Sequence, residues 1–584
     1  MTFFVFCPSS FFSANFLHFL HFARLLTTHT LLPNALLQNY SKRMFHRTES
    51  IDDIGLSRIL QTDKSNTISS LTKVICTIGV KSRTVEELSK LLEAGMSVAR
   101  FDFSWGSHKY HTETLMNLRQ AMKNTKILCA TMLDTFGSEV AVRLAAEDVS
   151  SFDKDAPKTP LEMKKGNKVV LSVCNDREDQ KKMVATSEFF PVVNCDSLCE
   201  IVAVGDSIFI GQYLFTGSET SSVYLTVESI DLENKEIVCT CNNDALMRGV
   251  LLTVQISNVG EKLPTISRHD ENDIVNWGVK NNVDFISLSF TDSAEDVRKC
   301  RQILDEHKSF HTKICAKIER ASALKNIDEI IQEADGVIIS RGNLGTELPA
   351  EKVFILQKMI LARCNYAGKH AIVARLVDTM AEAPRPTRAE ATDVANAVLD
   401  GADALLLGAE TLRGNFASET VAMVRKICRE AERFYDHESF YNAQISQRKI
   451  EAGEVSQAEA LASSAVRAGT KVGAKLIVVF TRTGETARMV SKYRAPMPVV
   501  SLVIPHLRQD SIRWVLEGES DARGALLARG IVPMLANPQN SEANSLLQMV
   551  FDFAKKKAGL VIGDRVVIIQ KLSGTAIVKV QELT

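Results

Sequence analysis

Lys313–Leu348 reads KICAKIERASALKNIDEIIQEADGVIISRGNLGTEL, and this stretch decides the fold. Two short apolar runs, Ile314–Ile318 and Gly336–Ser340, are rich in β-branched residues, as buried parallel strands are. Between them, Ala321–Glu333 repeats apolar residues at helical spacing. The stretch therefore predicts one unit of strand, helix and strand.

Charged and polar residues end both predicted strands. Lys317 and Glu319 stand two apart, so they point to the same side of the first strand. Arg341 follows the second strand, just before Gly342 and Asn343. Because buried strands favour apolar residues, these charges need a role. Two interpretations stay open at this point, namely structural ion pairs and a polar site at the mouth of a barrel.

Eight strand-like runs alternate with helical patterns from Thr72 onward. Most intervals between the runs carry one amphipathic helix, for example Val85–Glu93 and Glu295–Leu304. Eight such units predict an α/β protein with a closed (β/α)8 TIM barrel and its functional groups at the C-terminal ends of the strands. The predicted strands are Val74–Ile78, Val98–Phe103, Ile127–Leu133, Phe285–Phe290, Ile314–Ile318, Val337–Ser340, Ala371–Val373 and Leu405–Leu407.

One interval breaks this rhythm, because roughly 150 residues separate the third predicted strand from the fourth. Its excess alternates in short strand-like runs, which predicts a small inserted β-barrel domain that acts as a mobile lid over the barrel mouth. After the barrel, a polar stretch rich in Gln and Lys leads into a second α/β block. The predicted domains are a leader over 1–69, the barrel over 70–140 and 263–436, the lid over 141–262 and a C-terminal α/β domain over 437–584.

Composition excludes several functional classes. A formal net charge of −1 argues against nucleic acid as the main partner. After the leader, no run approaches the 18 or so apolar residues of a membrane span. The twelve cysteines include no CxxC pair, so we interpret them as reduced and buried in a reducing compartment. We expect a cytoplasmic location. The histidines form no ligand cluster in the sequence.

The leader allows more than one interpretation. Residues 1–48 are rich in Phe and Leu and contain no acidic residue. The lack of acids is typical of an organellar presequence, whereas the high Phe and low Arg content is not. Alternatively, translation starts at Met44, and residues 1–43 come from a start codon assigned too far upstream. An organellar location therefore stays open if residues 1–43 are a real presequence.

Oxygen-bearing and basic side chains follow the second, third, fifth and sixth predicted strands. Carboxylate, amide and hydroxyl oxygens suit hard cations such as Mg²⁺, and Lys and Arg suit a phosphorylated anion. With no Walker loop in the chain, phosphoryl transfer would depend on a metal, Lys317 and positioning. A barrel aldolase, an enolase-type lyase and a phosphotransferase all fit these residues. The residues are Arg100, Asp102, Ser104, Asp134, Thr135, Lys317, Glu319, Arg341, Gly342 and Asn343.

Longer motifs resemble the pyruvate kinase family. Ala383–Asp403 reads APRPTRAEATDVANAVLDGAD and is similar to a signature run of that family, and TKVICTIG, CATMLDTFGSE, AKIER and LLLGAETLRG match as well. The motifs FDFSWG, RGNLG and GQYLFTGSET most resemble the plant cytosolic branch. The resemblance covers about residues 70–584. It implies a homotetramer that transfers phosphoryl from phosphoenolpyruvate to ADP in the last step of glycolysis, with Mg²⁺ (or Mn²⁺) and K⁺.

The resemblance also implies individual roles. Arg100 would grip the substrate phosphate, and Lys317 would stabilise the phosphoryl group during transfer. Glu319 and Asn343 would hold Mg²⁺, and Gly342 would offer its N–H to the substrate carboxylate. The residues implied to hold K⁺ are Asp102, Ser104, Asp134 and, through its carbonyl, Thr135.

Four positions depart from the commonest family pattern. Asp102 replaces Asn, Asn343 replaces Asp, and Trp105 replaces a His near the nucleotide. Ala374 replaces a Thr whose hydroxyl the family is thought to use in protonating the enolate carbon. We therefore expect an active enzyme with slowed protonation. The alternative is a weakened paralogue that acts as a binding or scaffold subunit.

Each implied role has a structural alternative. Arg100 could form a purely structural bridge with Asp134, and Lys317 and Glu319 could pair with each other. The hydroxyl residues Ser104 and Thr135 could simply cap their strands.

Overall fold

The computed structural model describes most of the chain after residue 69. All described residues belong to one compact unit, Asn66–Thr584. The predicted leader and Trp105 lie outside them. The described ranges are 70–104, 106–138, 140–143, 161–173, 185–193, 198–211, 222–247, 251–256, 264–450, 455–510, 513–537, 543–572 and 575–583.

Eight parallel strands close into a barrel, as the sequence predicts. We number them β1 to β8 in chain order; each pairs with the next, and β8 pairs with β1. All eight predicted strands are present, with ends that differ by a few residues. The strands are β1 Lys73–Thr77, β2 Val98–Asp102, β3 Ala130–Asp134, β4 Phe285–Leu288, β5 Lys313–Ile318, β6 Gly336–Ile339, β7 His370–Ala374 and β8 Ala404–Leu407.

Helices cover the barrel because their apolar faces pack on its outer surface. Val85–Ala94 is typical: Thr84 caps its start, Gly95 ends it at φ 114°, and its leucines are buried. The other helices around the barrel are His108–Thr125, Arg268–Asp273, Ala294–Glu306, Ile327–Glu333, Arg341–Glu347, Ala350–Ala367, Arg388–Leu399, Ala409–Leu412 and Ala417–Arg433, with a π-helix at Ile274–Val279 and 3₁₀ turns at Ser322–Asn326 and Asp378–Ala381.

The opening stretch folds as strand, helix and strand, with two differences in detail. The predicted helix over Ala321–Glu333 is a 3₁₀ turn as far as Asn326 and α-helical only from Ile327. The side chain of Asn326 donates to the carbonyl of Asp292 at 2.9 Å, which ties the junction to the loop after β4. In addition, Arg341 starts a helix of its own, so Gly342 and Asn343 lie in a first helical turn.

The insertion between β3 and β4 forms a second closed barrel. Its strands alternate buried and more exposed residues, as in Lys168–Val173, because one face of each strand fills a small core. The prediction of a small inserted β-barrel is confirmed. Its seven strands are Val140–Arg143, Lys168–Val173, Phe189–Val193, Ser207–Gly211, Val223–Asp231, Glu236–Cys241 and Leu251–Ile256, beside a pair formed by Leu161–Met163 and Ala245–Met247 and a short helix, Leu198–Ile201.

The C-terminal part is a five-stranded sheet with flanking helices, as predicted in class. The polar stretch after the barrel is helical over His437–Ile450. Three elements have no counterpart in the prediction, namely the hairpin of His506–Asp510 with Arg513–Glu517, the helix Glu519–Gly524 and the strand Ile531–Leu535. The sheet order is Ile531–Leu535, Val499–Val503, Leu476–Thr481, Arg565–Leu572 and Thr575–Glu582. Its remaining helices are Gln457–Val472, Glu485–Lys492, Glu519–Gly524 and Ala543–Lys557.

Two expectations from composition can be checked on the described residues. Nine cysteines fall among them, and all nine are free and buried, as predicted. Within the same ranges, no helix combines the length and the apolar character that crossing a membrane requires. The domain boundaries at 70, 141, 263 and 437 stay predictions.

Candidate active site

The C-terminal ends of β2 and β3 bring Arg100, Asp102 and Asp134 into contact. The guanidinium of Arg100 contacts Asp134 at 2.5 Å and Asp102 at 3.0 Å, and it donates to the hydroxyl of Thr77 at 2.8 Å. Register explains this contact, because Asp102 lies opposite Asp134 on the neighbouring strand. The Nε–H of Arg100 is buried and has no hydrogen-bond partner among the described residues. The Arg100–Asp134 bridge therefore exists, and it leaves one donor of Arg100 unused.

Asp134 is shared by two cations. Lys317, near the end of β5, places its Nζ 3.3 Å from Oδ2 of Asp134 and 3.6 Å from Oε2 of Glu319. Burial alone would raise the pKa of Asp134, but Arg100 and Lys317 outweigh it and lower that pKa to about 2. Burial would also lower the pKa of Lys317, but Asp134 and Glu319 outweigh it and raise that pKa. The mouth of the barrel thus keeps both Lys317 and Asp134 ionised.

Glu319 and Asn343 form a second group of oxygen-bearing side chains beside Lys317. The amide of Asn343 donates to Oε1 of Glu319 at 2.7 Å, and the backbone N–H of Phe290 donates to Oε2 at 2.9 Å. Glu319 is buried, with 4% of its surface exposed. Because Glu319 and Asn343 are in direct contact, one small cation could be reached by oxygens of both.

The residues implied to hold K⁺ also lie together at the ends of β2 and β3. The hydroxyl of Ser104 donates to Asp102 at 2.6 Å. The carbonyl of Thr135 accepts from the hydroxyl of Ser289 at 2.6 Å, and the Thr135 backbone N–H donates to the carbonyl of Ser287 at 3.0 Å. Their oxygens suit a hard cation. Within the described ranges, no group of three or more His, Cys, Asp and Glu side chains could hold a metal, so a metal here would depend on carbonyl, hydroxyl, amide or substrate oxygens as well.

Gly342 lies in the helical turn that follows β6, and Ala374 is the last residue of the neighbouring strand β7. A Cβ on Gly342 would stand 2.6 Å from Nη1 of Arg375, so only glycine fits there without movement. Arg341 donates to the carbonyls of Ala374 (3.3 Å) and Arg375, and pairs with Asp393 at 2.7 Å. Arg341 therefore clamps the end of β7. Ala374, 7% exposed, offers no side-chain polar group.

Sequence reasoning missed three residues of the mouth. Ser287 donates to Asp134 at 2.5 Å, and Ser289 accepts from Lys317 at 3.0 Å. Their alternation in FISLSF was the available signal, because residues two apart on a strand point to the same side. Glu410, after β8, is fully buried; burial, with the nearby charge of Asp378, raises its pKa to about 7.

Models of known families match most of the chain. The model described as pyruvate kinase, barrel domain, matches residues 69–421, and the model described as pyruvate kinase, alpha/beta domain, matches residues 459–580. The chain belongs to the pyruvate kinase family. The inserted barrel lies within the first matched range, as an insertion between β3 and β4.

Individual relatives agree with this family assignment. A protein named pyruvate kinase 2, cytosolic, from Oryza sativa subsp. indica is 45% identical over 540 residues, which cover 91% of this chain and 98% of that protein. The cytosolic pyruvate kinase isozyme of Solanum tuberosum is 38% identical over 537 residues, 91% of this chain and 99% of that one. The structure of Cryptosporidium parvum pyruvate kinase in complex with ADP has a TM-score of 0.75 at 32% identity and covers 91% and 99% of the two chains. The resemblance to the plant cytosolic branch is thus confirmed.

Proposed function

We propose that the protein transfers the phosphoryl group of phosphoenolpyruvate to ADP and yields pyruvate and ATP. The observation that carries the proposal is the sharing of Asp134 by Arg100 and Lys317 beside the Glu319–Asn343 pair. Two fixed cations next to oxygen-bearing side chains suit a substrate that carries a phosphate and a carboxylate. Membership of the pyruvate kinase family selects the phosphotransferase among the three enzyme classes that the residues alone leave open.

In this proposal, Arg100, Lys317 and Gly342 bind the phosphate and the carboxylate of the substrate. Arg100 holds the phosphate, for which its unpartnered Nε–H is a ready donor. Lys317 remains charged and stabilises the negative charge that the phosphoryl group carries during transfer. Gly342 offers its backbone N–H to the substrate carboxylate from the first turn of its helix.

The proposed cofactors are Mg²⁺ (or Mn²⁺) and K⁺. Glu319 and Asn343 would hold Mg²⁺, which would supply positive charge beside the substrate oxygens when bound. Asn343 carries no charge, and two unit charges about 4 Å apart are worth about 4 kcal/mol at an effective dielectric near 20, so we expect weakened metal affinity. The residues proposed for K⁺ are Asp102, Ser104, Asp134 and Thr135.

Two further residues have proposed roles. Trp105, which lies outside the described residues, is proposed to contact the nucleotide. Ala374 is proposed to leave the enolate without a side-chain hydroxyl, so that its protonation is slow. The alternative of a scaffold subunit has no support among the Oryza sativa, Solanum tuberosum and Dictyostelium discoideum relatives, which are named as pyruvate kinases.

The setting of the enzyme is also a proposal. The plant relatives are named cytosolic, which favours the cytoplasm for this protein too. A homotetramer is proposed from the family, and the predicted division into barrel, lid and C-terminal domain is kept.

A coupled assay tests the proposed function. Protein that starts at Met44 is assayed with lactate dehydrogenase and NADH, and phosphoenolpyruvate, ADP, Mg²⁺ and K⁺ are omitted in turn. We expect turnover that requires the first three and is lower without K⁺. Folded protein that binds phosphoenolpyruvate but forms no pyruvate would contradict the proposal.

A further inference from the structure

The chain crosses twice between the TIM barrel and the inserted barrel. The outgoing crossing follows β3 and reaches the strand Val140–Arg143. The returning crossing follows the strand Leu251–Ile256 and enters the helix Arg268–Asp273 at Ser267. One side chain, Asp270, contacts both crossings.

The carboxylate of Asp270 accepts hydrogen bonds from both crossings. From the outgoing crossing, the backbone N–H of Phe136 donates at 2.8 Å and that of Gly137 at 3.3 Å. From the returning crossing, Ser267 donates its backbone N–H at 3.0 Å and its hydroxyl at 2.7 Å. The bonds to Ser267 form a capping box, whereas the bonds to Phe136 and Gly137 are no part of that motif.

Asp270 depends on these donors. Its relative exposure is 0%, and among the described residues its surroundings supply hydrogen bonds from Ser267, Phe136 and Gly137 but no charged partner. A buried carboxylate without a cation needs hydrogen bonds from neighbouring donors, and here those donors belong to the two crossings. The bonds therefore fix both connections of the inserted barrel at one point.

The outgoing crossing packs directly against the candidate active site. Gly137 has φ +72°, and a Cβ there would stand 2.9 Å from Cβ of Ser289. The hydroxyl of Ser289 accepts from Lys317 at 3.0 Å and donates to the carbonyl of Thr135 at 2.6 Å. A shift of Gly137 would therefore displace Ser289, which accepts a hydrogen bond from Lys317.

We infer that Asp270 is a positioning residue that fixes both crossings to the inserted barrel and, through Gly137 and Ser289, the placement of Lys317. The inference rests on the proposed phosphoryl transfer. It adds that the two crossings to the inserted barrel influence the position of Lys317. Asp270 itself touches no reacting atom in this role.

Asp296 provides a matched control. It forms the same capping box with Ser293 at the start of the helix Ala294–Glu306, and among the described residues its side chain bonds only to Asp292 and Ser293. We expect both Asp270→Asn and Asp296→Asn to lower the melting temperature, and Asp270→Asn to lower it more, because Asp270 is fully buried whereas Asp296 is partly exposed. Only Asp270→Asn should lower kcat, by about 10-fold, with a smaller change in KM, because displacement at a reacting centre is costly.

A distance measurement separates positioning from stability. Spin labels at Met116→Cys on the barrel and Val204→Cys on the inserted barrel report their separation, because both positions are exposed (61% and 65%). Cys7, Cys174 and Cys195 are replaced by Ser, since the other nine cysteines are buried. We expect a wider distance distribution in Asp270→Asn than in Asp296→Asn.

Both the kcat loss and the wider distribution are required, and either one missing overturns the inference. If Asp270→Asn does not fold, Ser267→Ala replaces it, with Ser293→Ala as its control, and the same two changes are expected. If the unaltered protein transfers no phosphoryl group, the proposed function fails, whereas the distance distributions still report whether Asp270 holds the crossings.

Discussion

Strand β5 carries a lysine at each end, and the two lysines have opposite surroundings. At the mouth, Lys317 lies near two carboxylates, which raise its pKa. At the base of the barrel, where the strands begin, Lys313 donates to the carbonyl of Gly524 in the C-terminal part at 3.0 Å. Burial and nearby Arg488 lower the pKa of Lys313. The mouth thus keeps a positive charge in place, while the base uses the donor to join two parts of the molecule. A half-buried charge alone therefore does not identify a site; its partners do.

Exchanging each lysine for methionine tests this comparison with the largest expected effect. We expect Lys317→Met to lower kcat by about 10²–10³-fold, because a preorganised charge near the transferred group is lost. Lys313→Met, the matched control on the same strand, should leave kcat per folded molecule within about 2-fold and lower stability instead. Steady-state kinetics and urea denaturation of both variants check this. Equal kcat losses would contradict the division between mouth and base.

Strand β7 allows a gain of function to be tested at the mouth. Ala374→Thr restores a hydroxyl near the proposed enolate, and general acid catalysis typically contributes about 10²–10⁴-fold to its own step. We expect turnover to rise until another step limits it, at most by about 10²-fold, as measured by the coupled assay. Ala374→Val is the control of similar size without a hydroxyl and should give no gain. A turnover of Ala374→Thr equal to that of the unaltered protein would show that Ala374 is no deficiency.

The base is tested by its most buried cation. Arg494 is 2% exposed; it pairs with Asp403 at 3.0 Å and donates to the carbonyl of Gly401 at 2.6 Å and to Asn365. Removing one partner of such a pair leaves an uncompensated buried charge and costs about 3–5 kcal/mol. We therefore expect Arg494→Met to lower the free energy of unfolding by that amount in urea. Its kcat per folded molecule should change little. A loss of kcat without a loss of stability would show that Arg494 serves the active site and not the stability of the fold.

The fold could be predicted because its signals are local. Apolar runs with helical intervals gave all eight barrel strands, and the excess length between two of them gave the inserted barrel. The 3₁₀ turn before Ile327 could not be predicted, because it depends on a contact between Asn326 and the loop after β4. The hairpin at His506–Glu517 lacks a strong apolar alternation, and both Leu507 and Leu516 are exposed.

The candidate site divides in the same way. Residues such as Lys317 and Glu319 could be found because a charge at the end of a buried strand stands out in the sequence. The alternation of Ser287 and Ser289 shows only that they point to the same side of their strand; their role was missed because it comes from β3 and β5 on either side. Asp270 was missed for a related reason: a capping box predicts only a helix start, and its bonds to Phe136 and Gly137 arise from tertiary structure.

The smallest expected effect concerns Glu410, a buried acid at the mouth. Among the described residues, no cation lies within ion-pair distance of it. Its Oε2 accepts from the backbone N–H of Gly408 at 2.7 Å, and its Oε1 has no partner there. Burial, aided by Asp378, raises its pKa to about 7 from 4.5, so the folded protein binds the proton more tightly than the unfolded chain. The free energy of unfolding should therefore fall by about 3 kcal/mol from this group as the pH rises from about 4.5 to 7.

Glu410→Gln should remove this contribution to the pH dependence, as measured by urea denaturation at several pH values. The control is Glu438→Gln, in the first turn of the helix His437–Ile450. Parallel slopes for Glu410→Gln and the unaltered protein would mean that Glu410 is ionised in the folded state, as Asp134 at the mouth is.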